Sequence, residues 1–320
     1  MNIISVFDTS VSMYNLGNEI IMDSVNSQLN ELFYNDFIIR LPIEDIGTKA
    51  RSYNTRALYT FVGGTNVLNG DIRRYRQWDL TLHNIIILRR LVLMGCGWFQ
   101  YESKSPTRYT KWALSKVLDR RTIHSVRDEY TLKKCNALGI PGLKFINTGC
   151  PTLWNLYPSI ISKISPRKSD SVIFTLTDYN QKPVRDKQLI SQILSNYQTV
   201  YFFPQGTGDI TYIKDLGVWD NITIIPPRIS EFDRIIDAGA DYLGTRLHAG
   251  IRALQRSSRS FIIEIDNRAK EMKINFNLPV VDEGSIGVLG EIVNSDYALK
   301  LNIPWDNIRL WKDQFKEESK

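Results

Sequence analysis

The turn Leu243-Gly244-Thr245-Arg246-Leu247-His248-Ala249-Gly250 sets an arginine two residues before a histidine, where a short apolar run stops and a helical pattern begins. Arginine presents a planar fork of donors that fits a phosphate or a carboxylate. A helix N-terminus adds unpaired N–H groups and positive potential, and a neighbouring histidine can pass a proton. Such a turn suits an anionic small molecule that exchanges a proton as it reacts. It suits equally an arginine held in a domain-bridging salt bridge beside a histidine that only caps or packs, and spacing leaves both readings open.

Other turns carry related groups. In Ser125-Val126-Arg127-Asp128-Glu129, Arg127 stands at the end of an apolar run and Asp128 opens a helix that it can cap. Gly63-Gly64-Thr65-Asn66 follows another run; paired glycines let a backbone approach a ligand closely, or only turn tightly. Asp8-Thr9-Ser10 and Asn15-Leu16-Gly17-Asn18-Glu19 form a polar stretch between strand and helix. It lacks GxGxxG and GxxxxGK[ST], which disfavours a dinucleotide or P-loop site. Asp8, Asn15, Asn18, Glu19, Gly63, Gly64, Asn66 and Asp128 are therefore candidates for lining a cleft. His83 and His124 read as structural, and Cys150 has no base near it in sequence. Trp98, Trp112 and Trp154 can stack on a sugar, but core packing is their default. The loop Gly206-Thr207-Gly208-Asp209 either lines the site or only turns.

These turns need a frame. Apolar runs at Ile3–Phe7, Leu58–Val62, Leu91–Met94, Thr122–Val126 and Leu143–Ile146 alternate with amphipathic stretches, the βα rhythm of a parallel sheet. A second series begins after the Pro-, Ser- and Lys-rich segment 151–170. It has strands at Val172–Leu176, Thr199–Phe203, Ile222–Ile225, Asp241–Gly244 and Ser260–Ile265. Its helices are expected at Asp186–Tyr197, Ser230–Ala238 (with Ser230 and Asp233 spaced as a capping box), Leu247–Gln255 and Arg268–Met272. The division predicts an α/β chain of two Rossmann-like domains, 1–155 and 165–300, facing each other across a cleft. In 301–320, Trp305, Ile308, Trp311 and Phe315 mark an amphipathic helix that packs back on the body. Ligands of open α/β sheets sit beyond the carboxyl ends of strands, which is where the turns above lie.

Composition narrows the function. The chain has 320 residues, 43% hydrophobic and 23% charged, with 40 Lys and Arg against 34 Asp and Glu for a net charge of +6. Three cysteines and three histidines, scattered, disfavour a disulfide framework or a His/Cys metal cluster. The mild basic excess suits an anionic small ligand and allows peripheral membrane contact. No dense Lys/Arg block or RNP-type motif points to nucleic acid. The first residues, Met1-Asn2-Ile3-Ile4, do not read as a signal peptide, and Ile85–Met94 is interrupted by Arg89 and Arg90. The expectation is a cytoplasmic protein with reduced thiols.

Taken in order, Asn15-Leu16-Gly17-Asn18-Glu19-Ile20-Ile21, Gly63-Gly64-Thr65-Asn66-Val67-Leu68, Ser125-Val126-Arg127-Asp128, Gly244-Thr245-Arg246-Leu247-His248-Ala249 and Asp266-Asn267-Arg268-Ala269 resemble the polysaccharide pyruvyl transferase family. The Arg-Leu-His piece is the most specific. This chain departs from many members in having Asn18 where an aspartate follows the glycine, and Thr65 where a third glycine stands. The resemblance implies a GT-B-like shape, with a donor-side C-terminal domain and an acceptor-side N-terminal domain that carries Arg127. It implies transfer of a pyruvyl group from phosphoenolpyruvate to two hydroxyls of one sugar, closing a ketal. Arg127, Arg246, Leu247 and His248 would hold the donor, with Arg246 and His248 catalytic. Phosphoenolpyruvate would be a co-substrate, with no further cofactor and no metal. The acceptor would be a sugar of a surface polysaccharide or of a lipid-linked precursor, met at the inner membrane face. The rival reading is a GT-B glycosyltransferase with Arg246 on the diphosphate of a nucleotide sugar.

Overall fold

The computed structural model describes residues 1–75 and 77–316. Residues 317–320, the end of the expected 301–320 helix, lie outside the described residues. In chain order the first part comprises β1 (Ile3–Asp8), α1 (Leu16–Leu32), β2 (Phe37–Pro42), α2 (Thr48–Arg56), β3 (Tyr59–Gly63), α3 (Leu82–Ile87), β4 (Leu91–Met94), α4 (Arg108–Val117), β5 (Ile123–Val126), α5 (Glu129–Asn136) and β6 (Lys144–Asn147). Then come α6 (Pro158–Ile161), β7 (Ser171–Thr175), α7 (Pro183–Asn196), β8 (Thr199–Phe202), α8 (Asp209–Leu216), β9 (Thr223–Ile224), α9 (Ile229–Asp237), β10 (Asp241–Gly244), α10 (Leu247–Gln255), β11 (Ser260–Ile263), α11 (Asn267–Phe276), β12 (Val280–Val281), α12 (Leu289–Asn294) and α13 (Trp305–Asp313).

The chain forms two compact units. The first holds Met1–Met13, Ile21–Trp154 and the stretch from Ile303; the second holds Tyr14–Ile20 and Asn155–Asn302. Seven residues near the N-terminus thus belong with the second unit, which a sequential division at a linker does not anticipate.

In the first unit a parallel sheet runs in the order β2-β1-β3-β4. Main-chain bonds carry the order on to β5: Gly95 N–H donates to the Ser125 carbonyl at 3.1 Å, and Arg127 N–H to the Cys96 carbonyl at 2.9 Å. β6 pairs with β5 in parallel. Successive strand residues alternate between two cores, as the two-residue period of a strand requires. Phe7, Val62, Leu91 and Leu93 face one side with Trp98, Ala113 and Leu114. Val6, Phe61, Val92 and Met94 face the other with Met22, Val25 and Leu29 of α1. A sheet covered on both faces reads as unbroken apolar runs, and this is why the sequence shows these strands clearly. It does not show β2: Phe37 is exposed and Arg40 and Pro42 interrupt the run, all at home in an edge strand.

α13 closes the second of these cores. Trp311 is fully buried and Ile308 and Phe315 nearly so, against Phe33, Tyr59, Phe61 and Trp154. The Trp154 and Trp311 rings lie 5.4 Å apart, and those of Phe61 and Phe315 5.2 Å, both edge-to-face. Gln314 Oε1 accepts the Ile123 N–H at 2.7 Å, tying the helix to β5.

The second unit holds one parallel sheet, β12-β11-β10-β7-β8-β9. Val172, Phe174, Leu189, Ile193, Phe202, Leu243 and Ile263 pack one of its cores. The expected capping box at Ser230 and Asp233 does not form: α9 begins one residue earlier, and Arg228 precedes it with no side-chain cap. His83 is exposed on α3 and packs into no core. Among the described residues, no helix is long and apolar enough to cross a membrane.

Candidate functional site

In the second unit the sheet order reverses between β7 and β10. At such a switch point the loops beyond the two strands diverge and leave a crevice at their carboxyl ends. Arg246 follows β10 there. Its N–H donates to Thr175 Oγ1 at 3.2 Å and its carbonyl accepts the Tyr242 hydroxyl at 2.8 Å. The side chain is 2% exposed and turns back over β7, with Nε donating to the Leu176 carbonyl at 2.9 Å. Nη2 is shared by two carboxylates, Asp178 Oδ1 at 3.0 Å and Asp209 Oδ1 at 2.5 Å. The guanidinium carbon lies 5.0 Å from the centre of the Tyr179 ring. Among the described residues, Nη1 has no hydrogen-bond partner.

Asp209 is fully buried. Its Oδ2 accepts the N–H groups of Gln205 at 3.0 Å and Gly206 at 2.8 Å, and its Oδ1 that of Asp178 at 3.1 Å. Burial raises its carboxyl above the usual range, and the Arg246 charge opposes that rise. Asp178 keeps 26% of its side chain exposed, and its Oδ2 accepts the Gly208 N–H at 3.2 Å. Leu247 and His248 occupy the first turn of α10, both buried, at a helix end whose first N–H groups have no intrahelical acceptor. Arg246 is thus held in salt bridges, but within its own unit rather than in the domain-bridging pair that the sequence left open.

The start of α1 joins the same group. Asn15 and Gly206 form an antiparallel bridge, Leu16 N–H donates to the Gln205 carbonyl at 3.0 Å, and Asn15 Oδ1 accepts both Gly17 N–H at 2.9 Å and Gln205 Nε2 at 3.0 Å. Asn18, half-buried, and Glu19, exposed, follow in the first turn. The loop 205–209 therefore links Asn15 to Arg246 through Asp209.

In the first unit the order reverses between β1 and β3, at Asp8 and at Gly63-Gly64. Asp8 is fully buried, pairs with Arg40, and accepts the N–H and hydroxyl of Ser10 at 2.7 and 2.6 Å. Gly64 has φ +29°, and a Cβ there would sit 2.7 Å from Ile21 Cγ2. The packing of α1 therefore requires this glycine, with no appeal to a ligand.

Arg127 lies beyond β5, at the turn where Asp128 was expected to cap a helix. Asp128 does cap α5, accepting Thr131 N–H at 2.7 Å. Arg127, however, is only 2% exposed. Its Nε donates to Asp128 Oδ2 at 3.0 Å and its Nη1 to Asn66 Oδ1, while Nη2 is buried with no partner among the described residues. A buried donor left unmade is costly, so the atom marks a place where a ligand acceptor would be favourable. The guanidinium lies flat on Gly97, where a Cβ would approach Nη2 to 2.6 Å. Gly63, Gly64, Asn66, Arg127 and Asp128 thus gather in the first unit. Asn15, Asn18, Glu19, Arg246, Leu247 and His248 gather in the second.

Other candidates settle as structure. His124 Nδ1 accepts the Leu93 N–H at 3.3 Å and Nε2 lies 2.8 Å from the Asp119 carbonyl, a pairing that only the neutral ring satisfies. Burial lowers its pKa to about 4. Cys150 is fully buried and its thiol is pushed up by that burial, the reverse of an activated nucleophile. Trp98 and Trp154 are core residues and Trp112 is half-buried. Sequence reasoning missed Asp178, Tyr179 and the role of Asp209. They come to Arg246 only through the strand order, and no local motif announces them.

The fold is similar to that of Methanocaldococcus jannaschii UDP-GlcNAc 2-epimerase, solved with UDP-GlcNAc and UDP: 11% identity over 99% of this chain and 98% of that one, TM-score 0.57. The Neisseria meningitidis UDP-GlcNAc 2-epimerase bound to UDP-GlcNAc matches at 12% identity over 100% and 94%, TM-score 0.44. An E. coli heptosyltransferase matches at 9% over 82% and 88%, TM-score 0.36. At these identities the likeness concerns the fold, which is of the GT-B type. No curated protein matches the sequence. The sequence model of the polysaccharide pyruvyl transferase family matches residues 15–256, more than half of the chain, including the turns at Asn15, Gly63-Gly64, Arg127 and Arg246-Leu247-His248. The chain belongs to the polysaccharide pyruvyl transferase family.

Proposed function

We propose that the protein moves the pyruvyl group of phosphoenolpyruvate onto two hydroxyls of one sugar, in a polysaccharide or its lipid-linked precursor, as a ketal. The observation that carries this is the family match running through both Arg127 and the Arg246-Leu247-His248 turn. Phosphoenolpyruvate has a carboxylate and a phosphate, and the chain offers two buried arginines, each with a nitrogen unclaimed by the protein. Charge-assisted bonds to such anions are strong in a water-poor site. The enol carbon must be protonated as the sugar oxygen attacks, and His248, next to Arg246, is the acid for that step. A helix N-terminus disfavours imidazolium, but contact with the phosphate dianion outweighs it. A lipid-linked acceptor would bring the protein to the inner face of a membrane, where its net charge of +6 favours anionic lipid.

The test is phosphate release from phosphoenolpyruvate with p-nitrophenyl hexosides of gluco, galacto and manno configuration, with the ketal product identified by mass spectrometry. Thermal-shift binding of UDP- or GDP-sugars, with no phosphate release from phosphoenolpyruvate, would overturn the proposal in favour of glycosyl transfer.

A further inference from the structure

Ketal formation needs a group that accepts the proton of the attacking hydroxyl, and it must reach a sugar arriving from solvent. The carboxylates near the candidate residues are not equal in this respect: Glu19 is exposed but is not one of the carboxylates bonded to Arg246. Asp8 is buried under Arg40 and Ser10, and Asp128 is buried as a helix cap paired with Arg127. Asp209 is buried with both oxygens filled by backbone donors and Arg246. Arg246 has two carboxylate partners among the described residues, and of these Asp178 is the exposed one, with 26% of its side chain accessible.

The next residue adds a second observation. Tyr179 is 59% exposed, yet its ring is fixed. Arg246 lies against it, and its hydroxyl accepts Arg268 Nη2 at 2.8 Å. Asn180 anchors the same short turn, donating to the Ile265 carbonyl at 3.2 Å and accepting Arg185 Nη1 at 3.1 Å. A rigid, exposed aromatic ring beside an accessible carboxylate is the pairing that a sugar requires: a flat apolar surface for its C–H face and an acceptor for its hydroxyl.

We propose that Asp178 is the base for the first acceptor hydroxyl and that Tyr179 is the ring on which the acceptor sugar rests. The assignment builds on the pyruvyl-transfer reading above. In the first step His248 gives its proton to the methylene carbon of phosphoenolpyruvate. The sugar oxygen bonds to the central carbon, and the hydroxyl proton passes to Asp178. In the second step the bond from the central carbon to the phosphate oxygen breaks, the electron pair leaves with phosphate, and Asp178 returns its proton to that oxygen. The second hydroxyl then closes the ketal and its proton restores His248. Protons and charge balance over the cycle: one hydroxyl proton leaves on hydrogen phosphate, and the other replaces the proton that His248 delivered to the new methyl group. Sharing Arg246 places Asp178 beside the group proposed to bind phosphate, as a two-way proton carrier requires.

The experiment uses the full chain, with phosphoenolpyruvate and the p-nitrophenyl hexosides named above. Asp178→Asn is expected to lower kcat about 10²–10⁴-fold, to leave the phosphoenolpyruvate KM within about threefold, and to abolish the acidic limb of the kcat/KM profile. Tyr179→Ala is expected to raise the acceptor KM about three- to tenfold, in line with the loss of one aromatic contact, with the donor KM unmoved. Tyr179→Phe, which keeps the ring, should recover most of that loss. Circular dichroism and melting confirm that each variant is folded. If Asp178→Asn raises the donor KM and leaves the pH profile intact, Asp178 only steadies Arg246 and the proposal falls. If wild type turns over and Asp178→Asn matches it, the base assignment alone falls. If wild type releases no phosphate with any hexoside, the pyruvyl-transfer reading fails and takes this proposal with it.

Discussion

Removing Arg246 should damage the fold before it informs on the donor. Arg246→Ala leaves Asp209 fully buried without its cation and with the Asp178 carboxylate close by. Deleting one member of a buried pair costs about 3–5 kcal/mol. Asp209 retains three backbone N–H donors, so the loss should sit near the lower end, about 3 kcal/mol. That is a large share of the roughly 5–15 kcal/mol that holds a typical domain together. A double variant, Arg246→Met with Asp209→Asn, removes both charges and should recover about 2 kcal/mol as a coupling between neighbours. The pH dependence follows from Asp209. Its folded-state pKa already lies above the usual value through burial, and without Arg246 it rises further. A carboxyl with a raised folded pKa is penalised while ionised, so the cost of Arg246→Ala is full at neutral pH and shrinks as pH falls through that raised value. Urea unfolding followed by tryptophan fluorescence at pH 7 and pH 5 reads both effects. A loss below about 1 kcal/mol at pH 7, or a double variant no more stable than the sum of the singles, would refute the buried-pair account. Donor binding is then best compared in the double variant, where a weakened affinity cannot be blamed on unfolding.

His248→Gln should leave phosphoenolpyruvate affinity near wild type and lower kcat about 10²–10⁴-fold; full turnover per folded molecule would remove His248 from the reaction. Gly97→Ala would place a Cβ 2.6 Å from Arg127 Nη2, displacing the guanidinium. The phosphoenolpyruvate KM should rise about tenfold, or about 1.4 kcal/mol, and an unchanged KM would detach Arg127 from the donor. His124 is held neutral with a pKa of about 4, so the unfolded chain takes up a proton that the folded one refuses. Between pH 6.5 and about 4, wild type should lose stability relative to a His124→Gln variant, by up to about 3 kcal/mol. Parallel pH profiles in denaturant unfolding would contradict this.

What was legible in the sequence is what depends on near neighbours. β4, β10 and α10 have the bounds that their patterns predict, because buried parallel strands and an amphipathic helix repeat within a few residues. The capping role of Asp128 was visible because its partner, Thr131, lies three positions on. The partners of Arg246 were not, since Asp209 lies 37 residues away and Asp178 68. Only the reversal of strand order brings β7 beside β10, and the alternation of strands and helices does not encode that order. The α1 start illustrates the same limit: its tie to Gln205 spans 190 residues. β2 escaped for another reason, since an edge strand need not be apolar on both faces.

The seating of α13 has a consequence for the order of events at the ribosome. Trp311 and Phe315 fill a core whose other walls, from Ile4 to Trp154, are synthesised far earlier. Every residue from Asn155 to Asn302 must emerge in between, and these form the other unit. Domains synthesised in sequence ordinarily fold as they appear. Here the earlier-made unit must wait with an apolar trench open, while the later-made one has all of its residues in hand once Asn302 emerges, its seven N-terminal residues having been made first. The nascent chain therefore passes through a stage in which its C-terminal half is complete and its N-terminal half is still unsealed, the stage at which a chaperone would find it.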